Sequence, residues 1–403
     1  MCRTATFLLT GIVLACCARA EALDFDYQGY ADFRVIVPAT ERGWLDGGLG
    51  KLRFGGNQPD PNFRFAEAVA QGTLTLSDDV RVIVVPRLEP EQRSGIDLLE
   101  AYAVWRPHMD GWLGSLKVGA FFPPFSLENT DLGWTSPYTL TPSAINSWIG
   151  DELRTLGAEV HADRSTSAGV FSLTAALVCC NDPAGVLIAD RGWTLDDRPT
   201  GLIEEVRQPD TTLKLFQAPF PDRTPLFLEI DHAVGWYAGA SWSKAGVGKL
   251  TLYRYDNEGD PAAFQADYFA WRTRFWSAGW ESHLGSLSIL AQGLSGDTAI
   301  EPFAGFIATT KYKSAYLLAA YDFDDVRIAA RAEAFQTRAT SGHGLFDEDG
   351  HAITAAASWM PKDWLRLTAE LIAIDSRRGE RVLDGLSANQ SDTQFQFSVR
   401  LFG

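Results

Sequence analysis

Val326-Arg327-Ile328-Ala329-Ala330-Arg331-Ala332-Glu333-Ala334-Phe335 divides by parity. Val326, Ile328, Ala330, Ala332 and Ala334 share one phase, while Arg327, Arg331 and Glu333 share the other. Successive side chains of a β-strand project to opposite faces, so this stretch reads as a strand with one apolar and one charged face. The pattern recurs outward from it. In Leu365–Ala373, Leu365, Leu367, Ala369 and Leu371 alternate with Arg366, Thr368 and Glu370. In Asp24–Val37, Phe25, Tyr27, Gly29, Ala31, Phe33, Val35 and Val37 alternate with Asp24, Asp26, Gln28, Tyr30, Asp32 and Arg34. In Phe269–Glu281, Phe269, Trp271 and Phe275 are assigned to one face and Arg272 and Arg274 to the other.

The joins between such segments sort by length. Short ones are expected at Ser77–Asp79, Pro107–Gly114, His161–Ser167, Lys244–Gly248, His283–Gly285, Asp322–Asp325 and Pro361–Asp363. Long ones are expected at Pro38–Asn62, Pro86–Gly95, Pro123–Glu152, Cys180–His232, Asp256–Asp267, Gly296–Lys311, Ala339–Gly350 and Asp375–Asp392. Fifteen joins make sixteen strands, with both termini on the short-turn side. This is the pattern of an all-β transmembrane antiparallel barrel with short periplasmic turns and long extracellular loops. After residue 22 no run approaches the ~18 apolar residues a spanning helix needs, so any crossing is by strands.

The N-terminus agrees with export. Arg3, the apolar run Phe7–Cys17 and the small residues around Ala20 and Ala22 read as a signal peptide over 1–22, cleaved after either alanine. Residues 23–403 then form a single barrel domain, and the expected address is the outer membrane of a Gram-negative bacterium. Three of the five cysteines fall in the signal, and adjacent Cys179 and Cys180 are expected as free thiols. Net charge is −16 and concentrates in three outward loops. Segment 180–232 carries ten acids against five bases, while 123–152 and 256–267 each carry four acids and no base. That balance argues against nucleic acid as a partner.

A soluble sandwich also alternates, but two features favour lipid as the surroundings. Trp105, Trp112, Trp242, Trp271, Trp359 and Trp364 gather near strand ends, as interfacial girdles do. The apolar faces are also rich in Ala and Gly, which suits lipid better than a large core. The closing segment 393–403 keeps Phe395, Phe397, Val399 and Leu401 in phase and resembles the C-terminal signal read by the outer-membrane assembly machinery, although it ends on Gly403.

At sixteen strands a barrel has room for an aqueous channel. Phasing the strands assigns Arg34, Arg81, Lys117, Arg272, Arg274, Arg327, Arg331 and Arg366 to the pore lining. Across the whole wall, inward bases outnumber inward acids twelve to eight, a modest anion lean. Segment 123–152 is the constriction-loop candidate, because a loop this aromatic avoids water. Its Glu128, Asp131, Trp134, Trp148, Asp151 and Glu152 would set an acidic, aromatic filter. The expected function is a water-filled channel for small hydrophilic solutes or ions. One rival is a plugged barrel acting as receptor, adhesin or structural anchor, with 180–232 folded inside. A more remote one is an outer-membrane enzyme, for which no Ser–His constellation stands out. No cofactor or metal is called for. Lipid and lipopolysaccharide are the expected surroundings, with loop acids as holders of bridging divalent cations.

Val118-Gly119-Ala120-Phe121-Phe122-Pro123-Pro124-Phe125-Ser126-Leu127-Glu128-Asn129 resembles the phosphate-selective porin O and P family, and Tyr138–Trp148 is similar to porin-like relatives. That resemblance implies a sixteen-stranded, often trimeric barrel that passes anions or other small solutes. The family's phosphate selectivity depends on Lys- and Arg-rich loops, whereas this loop has no base before Arg154.

Overall fold

A computed structural model describes residues 23–56, 60–211 and 221–403; the signal-peptide reading of 1–22 lies outside them. Sixteen strands form the wall. They are β1 (Asp24–Val37), β2 (Asn62–Ser77), β3 (Val80–Leu88), β4 (Ile96–Trp105), β5 (Trp112–Phe121), β6 (Thr155–Thr166), β7 (Gly169–Cys179) and β8 (Gly235–Lys244). The second half comprises β9 (Gly248–Asp256), β10 (Arg272–Leu284), β11 (Leu287–Phe303), β12 (Phe306–Phe323), β13 (Val326–Ala339), β14 (Glu348–Lys362), β15 (Leu365–Arg378) and β16 (Asn389–Phe402). Each pairs antiparallel with the next, and β16 returns to β1 with Phe33 opposite Val399 and Ile36 opposite Gln396. Closure leaves no strand edge, which is the condition for a sheet to sit in hydrocarbon. Among the described residues no helix is long and apolar enough to cross a membrane.

Loop lengths sort by rim, with two departures from the expected bounds. Tight turns at 78–79, 167–168, 285–286, 324–325 and 363–364 share a rim, and long connections at 38–61, 122–154 and 180–234 share the other. The expected long join Gly296–Lys311 is instead strand. β11 runs to Phe303 and β12 begins at Phe306, so this hairpin rises above its neighbours on a two-residue turn. Likewise β6 continues to Thr166, making the turn after it shorter than His161–Ser167.

β10 departs from the phase expected from its sequence. Thr273 and Phe275 are buried and point inward, which puts Arg272 and Arg274 on the outer face with Trp276. There Arg274 meets Asp297 of β11 at 3.1 Å. Phe275 points inward because it packs against the loop aromatic Phe125 and Tyr255. Trp271 is not in a girdle either; it is buried beneath rim loops with Trp44 and Leu226. The adjacent cysteines are joined as a disulfide rather than free.

Candidate functional site: the filled lumen

The third long loop leaves β5 and crosses the barrel interior. Phe122 stacks on Trp134 with centroids 4.2 Å apart, and the Arg154 guanidinium covers the same ring at 3.6 Å. Phe125 then enters a cage of Tyr237, Tyr253, Tyr255 and Phe275, all edge-on at 5.2–6.1 Å. Such edge-to-face contacts each add about 0.5–1.5 kcal/mol beyond burial.

The loop then folds into helix α1 (Ala144–Glu152), capped by Ser143, whose hydroxyl accepts the Asn146 amide. All nine α1 residues are buried, so both sides of the helix are covered. Trp148 packs between Phe275, Tyr312 and Trp193. Its far side is covered by the fourth loop, whose short helix α2 (Val186–Asp190) is held by Glu152. That carboxylate accepts the backbone N–H of Gly185 and Leu187 at 3.0 and 2.8 Å, satisfying donors that begin the helix.

Charge fixes these loops to the wall. Arg331 of β13 is fully buried and donates to Glu128 at 3.2 Å, Glu333 at 2.9 Å and the carbonyls of Thr141 and Pro142. Glu128 also accepts from the Ser143 amide and the Asn146 side chain. Glu370 of β15 accepts the Leu140 amide at 2.7 Å, and Glu333 that of Ala144 at 2.7 Å. From the first and fourth loops, Asp197 bridges Arg34 and Arg53, and Lys51 meets Glu348 at 2.5 Å. Removing one member of a buried pair strands the other charge and costs about 3–5 kcal/mol. The loops are therefore fixed elements of the lumen.

The expected filter residues are brought together in the lumen but paired. Asp131 binds Arg366 at 3.3 Å, Asp151 binds Arg191, and Trp134 and Trp148 are packed as above. Glu128, Asp151 and Glu152 are buried, which corrects the picture of acids facing an open passage. The expected basic wall is neutralised in the same way. Arg34 pairs with Asp32 at 2.9 Å, Lys117 with Glu159 at 3.3 Å and Arg327 with Asp322 at 2.5 Å, while Arg81 stays exposed at the short-turn end. Arg331 likewise meets Glu128 and Glu333, so neither it nor Arg327 is a free charge on the wall.

Open space survives at the two ends. A cavity of about 440 Å³ lies under the long loops beside Trp44, Phe54, Arg198 and Arg207, and one of about 620 Å³ lies at the short-turn end beside Asp131, Arg366 and Arg400. Burial has electrostatic consequences in the loops between them. Asp190 is pushed up to about 8 by loss of water and by Glu380, and Arg154 is brought down to about 9 by burial.

The residues missed by sequence reading are Lys51, Arg53, Arg191 and Asp197, all on loops expected to lie outside. Arg191 stands out only as a base inside an acidic loop, while Lys51 and Arg53 lie in a charge-balanced one and Asp197 in a run of acids. On the wall, Thr174, His161 and Asp163 are hydrogen-bonded at 2.8 and 2.9 Å, a contact that follows from the His161–Thr174 register rather than from a sequence motif.

No family model and no curated protein matches the chain. Solved structures do. A loop-deletion form of OmpT, an outer membrane protein of Vibrio cholerae, is 12% identical over 95% of this chain and 100% of its own, with a TM-score of 0.58. The outer membrane channel DcaP of Acinetobacter baumannii is 10% identical over 96% and 99%, with a TM-score of 0.58. An anion-selective porin from Comamonas acidovorans is 12% identical over 94% and 100%, with a TM-score of 0.52. The shared feature is the fold: the chain is a closed sixteen-stranded, porin-like β-barrel.

Proposed function

We propose that this chain is an outer-membrane porin-type channel for small hydrophilic solutes, exported by the 1–22 signal and kept narrow by its own inward loops. The observation that carries the reading is a closed wall with an apolar outer face, crossed inside by a loop pinned through Glu128 and Arg331. Because most inward bases are paired the charge preference is weak, and because the third and fourth loops cross the lumen the conductance is small. Phosphate selectivity is not part of the proposal. A homotrimer, as in the trimer form described for OmpT of Vibrio cholerae, is the proposed assembly.

One observation favours a second reading. The complete burial of α1 suits a plugged barrel that serves as receptor or anchor. Liposome swelling separates them. Purified barrel should admit small sugars slowly, with reversal potentials close to zero in salt gradients. No swelling with any solute would leave the plugged barrel; strong cation or anion selectivity would contradict the paired wall.

A further inference from the structure

The outer wall of β10–β14 carries a dent and, directly above it, bases without partners. The dent holds about 830 Å³; its floor is Ala278, Gly293, Ala315 and Ala334, and its rim includes Trp276, Lys313 and the Arg338-paired Asp349. It is shallow-walled because small residues meet there across four strands. The register sets Ala278 opposite Gly293, Gly293 opposite Ala315, and Ala315 opposite Ala334. A Cβ added at Gly293 would touch only the Ala315 methyl, at 4.0 Å.

Lys313 stands at the upper lip of the dent and Lys311 one row above it, both exposed and on the outer face. Lysine on the outside of a barrel strand is costly at the bilayer centre and tolerated only near the head groups. Ten residues separate Phe323, at the short-turn end of β12, from Lys313. At about 3.3 Å per residue and a tilt near 40° that is about 25 Å, the height of an apolar band. Lys313 therefore stands where hydrocarbon ends on the long-loop side. Trp276 lies in the same row, as an interfacial aromatic does.

Around these lysines the outer acids are taken. Asp297 pairs with Arg274, Asp349 with Arg338, and Asp375 lies 3.5 Å from His351. Among the described residues, Lys311, Lys313 and Arg377 have no carboxylate partner. A net positive patch above an apolar dent is thus built onto a chain with a net charge of −16.

We infer that this face docks one phosphorylated, acylated glycolipid of the outer leaflet, with an acyl chain in the dent and phosphate at Lys311 and Lys313. The inference rests on the reading that the long-loop rim faces outward in the outer membrane. Charge complementarity carries the choice of occupant, since unpaired lysines over an apolar groove match phosphate joined to an acyl chain.

Native mass spectrometry of the folded barrel tests it, with diphosphoryl lipid A and phosphatidylglycerol as probes. Wild type should retain one lipid A at least tenfold better than phosphatidylglycerol. Lys311→Glu with Lys313→Glu should lose that preference, and so should Gly293→Leu with Ala315→Leu, which fills the dent and keeps the charge. Heat-modifiable mobility confirms that each variant is folded. Equal retention of both lipids, loss in only one of the two variants, or a subunit contact broken by the dent-filling pair in place of lipid binding would each overturn the site. Cell fractionation separates the underlying reading: a barrel absent from the outer membrane defeats that reading, whereas an outer-membrane barrel that ignores lipid A defeats this inference alone.

Discussion

Arg331 and Arg338 lie on the same strand, seven residues apart, and each meets carboxylates, yet they do different work. Arg331 points inward, is fully buried, and ties Glu128 of the third loop to Glu333 of the wall. Arg338 points outward and meets Asp349 at 2.7 Å with side chains 40% and 56% exposed. An exposed pair contributes about 0–1 kcal/mol, whereas breaking a buried one costs several. Strand parity alone decides which role an arginine takes. The comparison teaches that charge in this barrel organises the lumen by pairing and decorates the outside at the membrane rim.

Breaking the lumen side should have the largest effect. Arg331→Met strands Glu128 and Glu333 and should weaken third-loop docking by about 3–5 kcal/mol. Hydrogen exchange would show protection lost over residues 126–150 while the strands stay protected. The adjacent position tests the opposite face. Ala332 points outward about midway up the apolar band, beside Leu317 and Ile353. Ala332→Arg should therefore cost about 2–4 kcal/mol in folding into lipid vesicles, with the loop undisturbed. If the two substitutions gave the same signature, the assignment of faces would be wrong.

A pH series sharpens the same contrast. The Asp190 carboxyl is raised to about 8 in the folded chain, against an ordinary value near 3.8. A raised acid favours the folded form below its ordinary value, and that contribution is lost as pH rises through the folded value. Docking of α2 should thus weaken from pH 4 to pH 8, which single-channel recording would read as a roughly severalfold rise in open time. Asp190→Asn should remove most of that dependence. Smallest of all, Arg338→Ala should change unfolding free energy by no more than about 1 kcal/mol and leave conductance unchanged.

The wall was legible because lipid on one side and a polar lumen on the other enforce period two. It was less legible where that contrast fades. Above the apolar band, Ser295, Gly296, Asp297 and Thr298 continue the ladder of β11 without an apolar phase, so the protruding hairpin reads as a loop. In β10 both faces are aromatic, Phe275 meeting Phe125 inside and Trp276 meeting the surroundings outside, so parity alone cannot choose. The third loop's inward course was legible from its aromatics. Its partners were not, because Glu128 and Arg331, or Arg34 and Asp197, meet across much of the chain. The pairing of the wall bases is therefore visible only once the barrel is closed.

The central claim is that the inward third loop, rather than the wall, sets the passage. Single-channel conductance of the intact barrel and of one with residues 126–150 replaced by a short Gly-Ser link tests it most directly. The account predicts a small conductance for the intact chain and at least a tenfold rise on excision, with heat-modifiable mobility retained. A large conductance in the intact chain that excision leaves unchanged would contradict it.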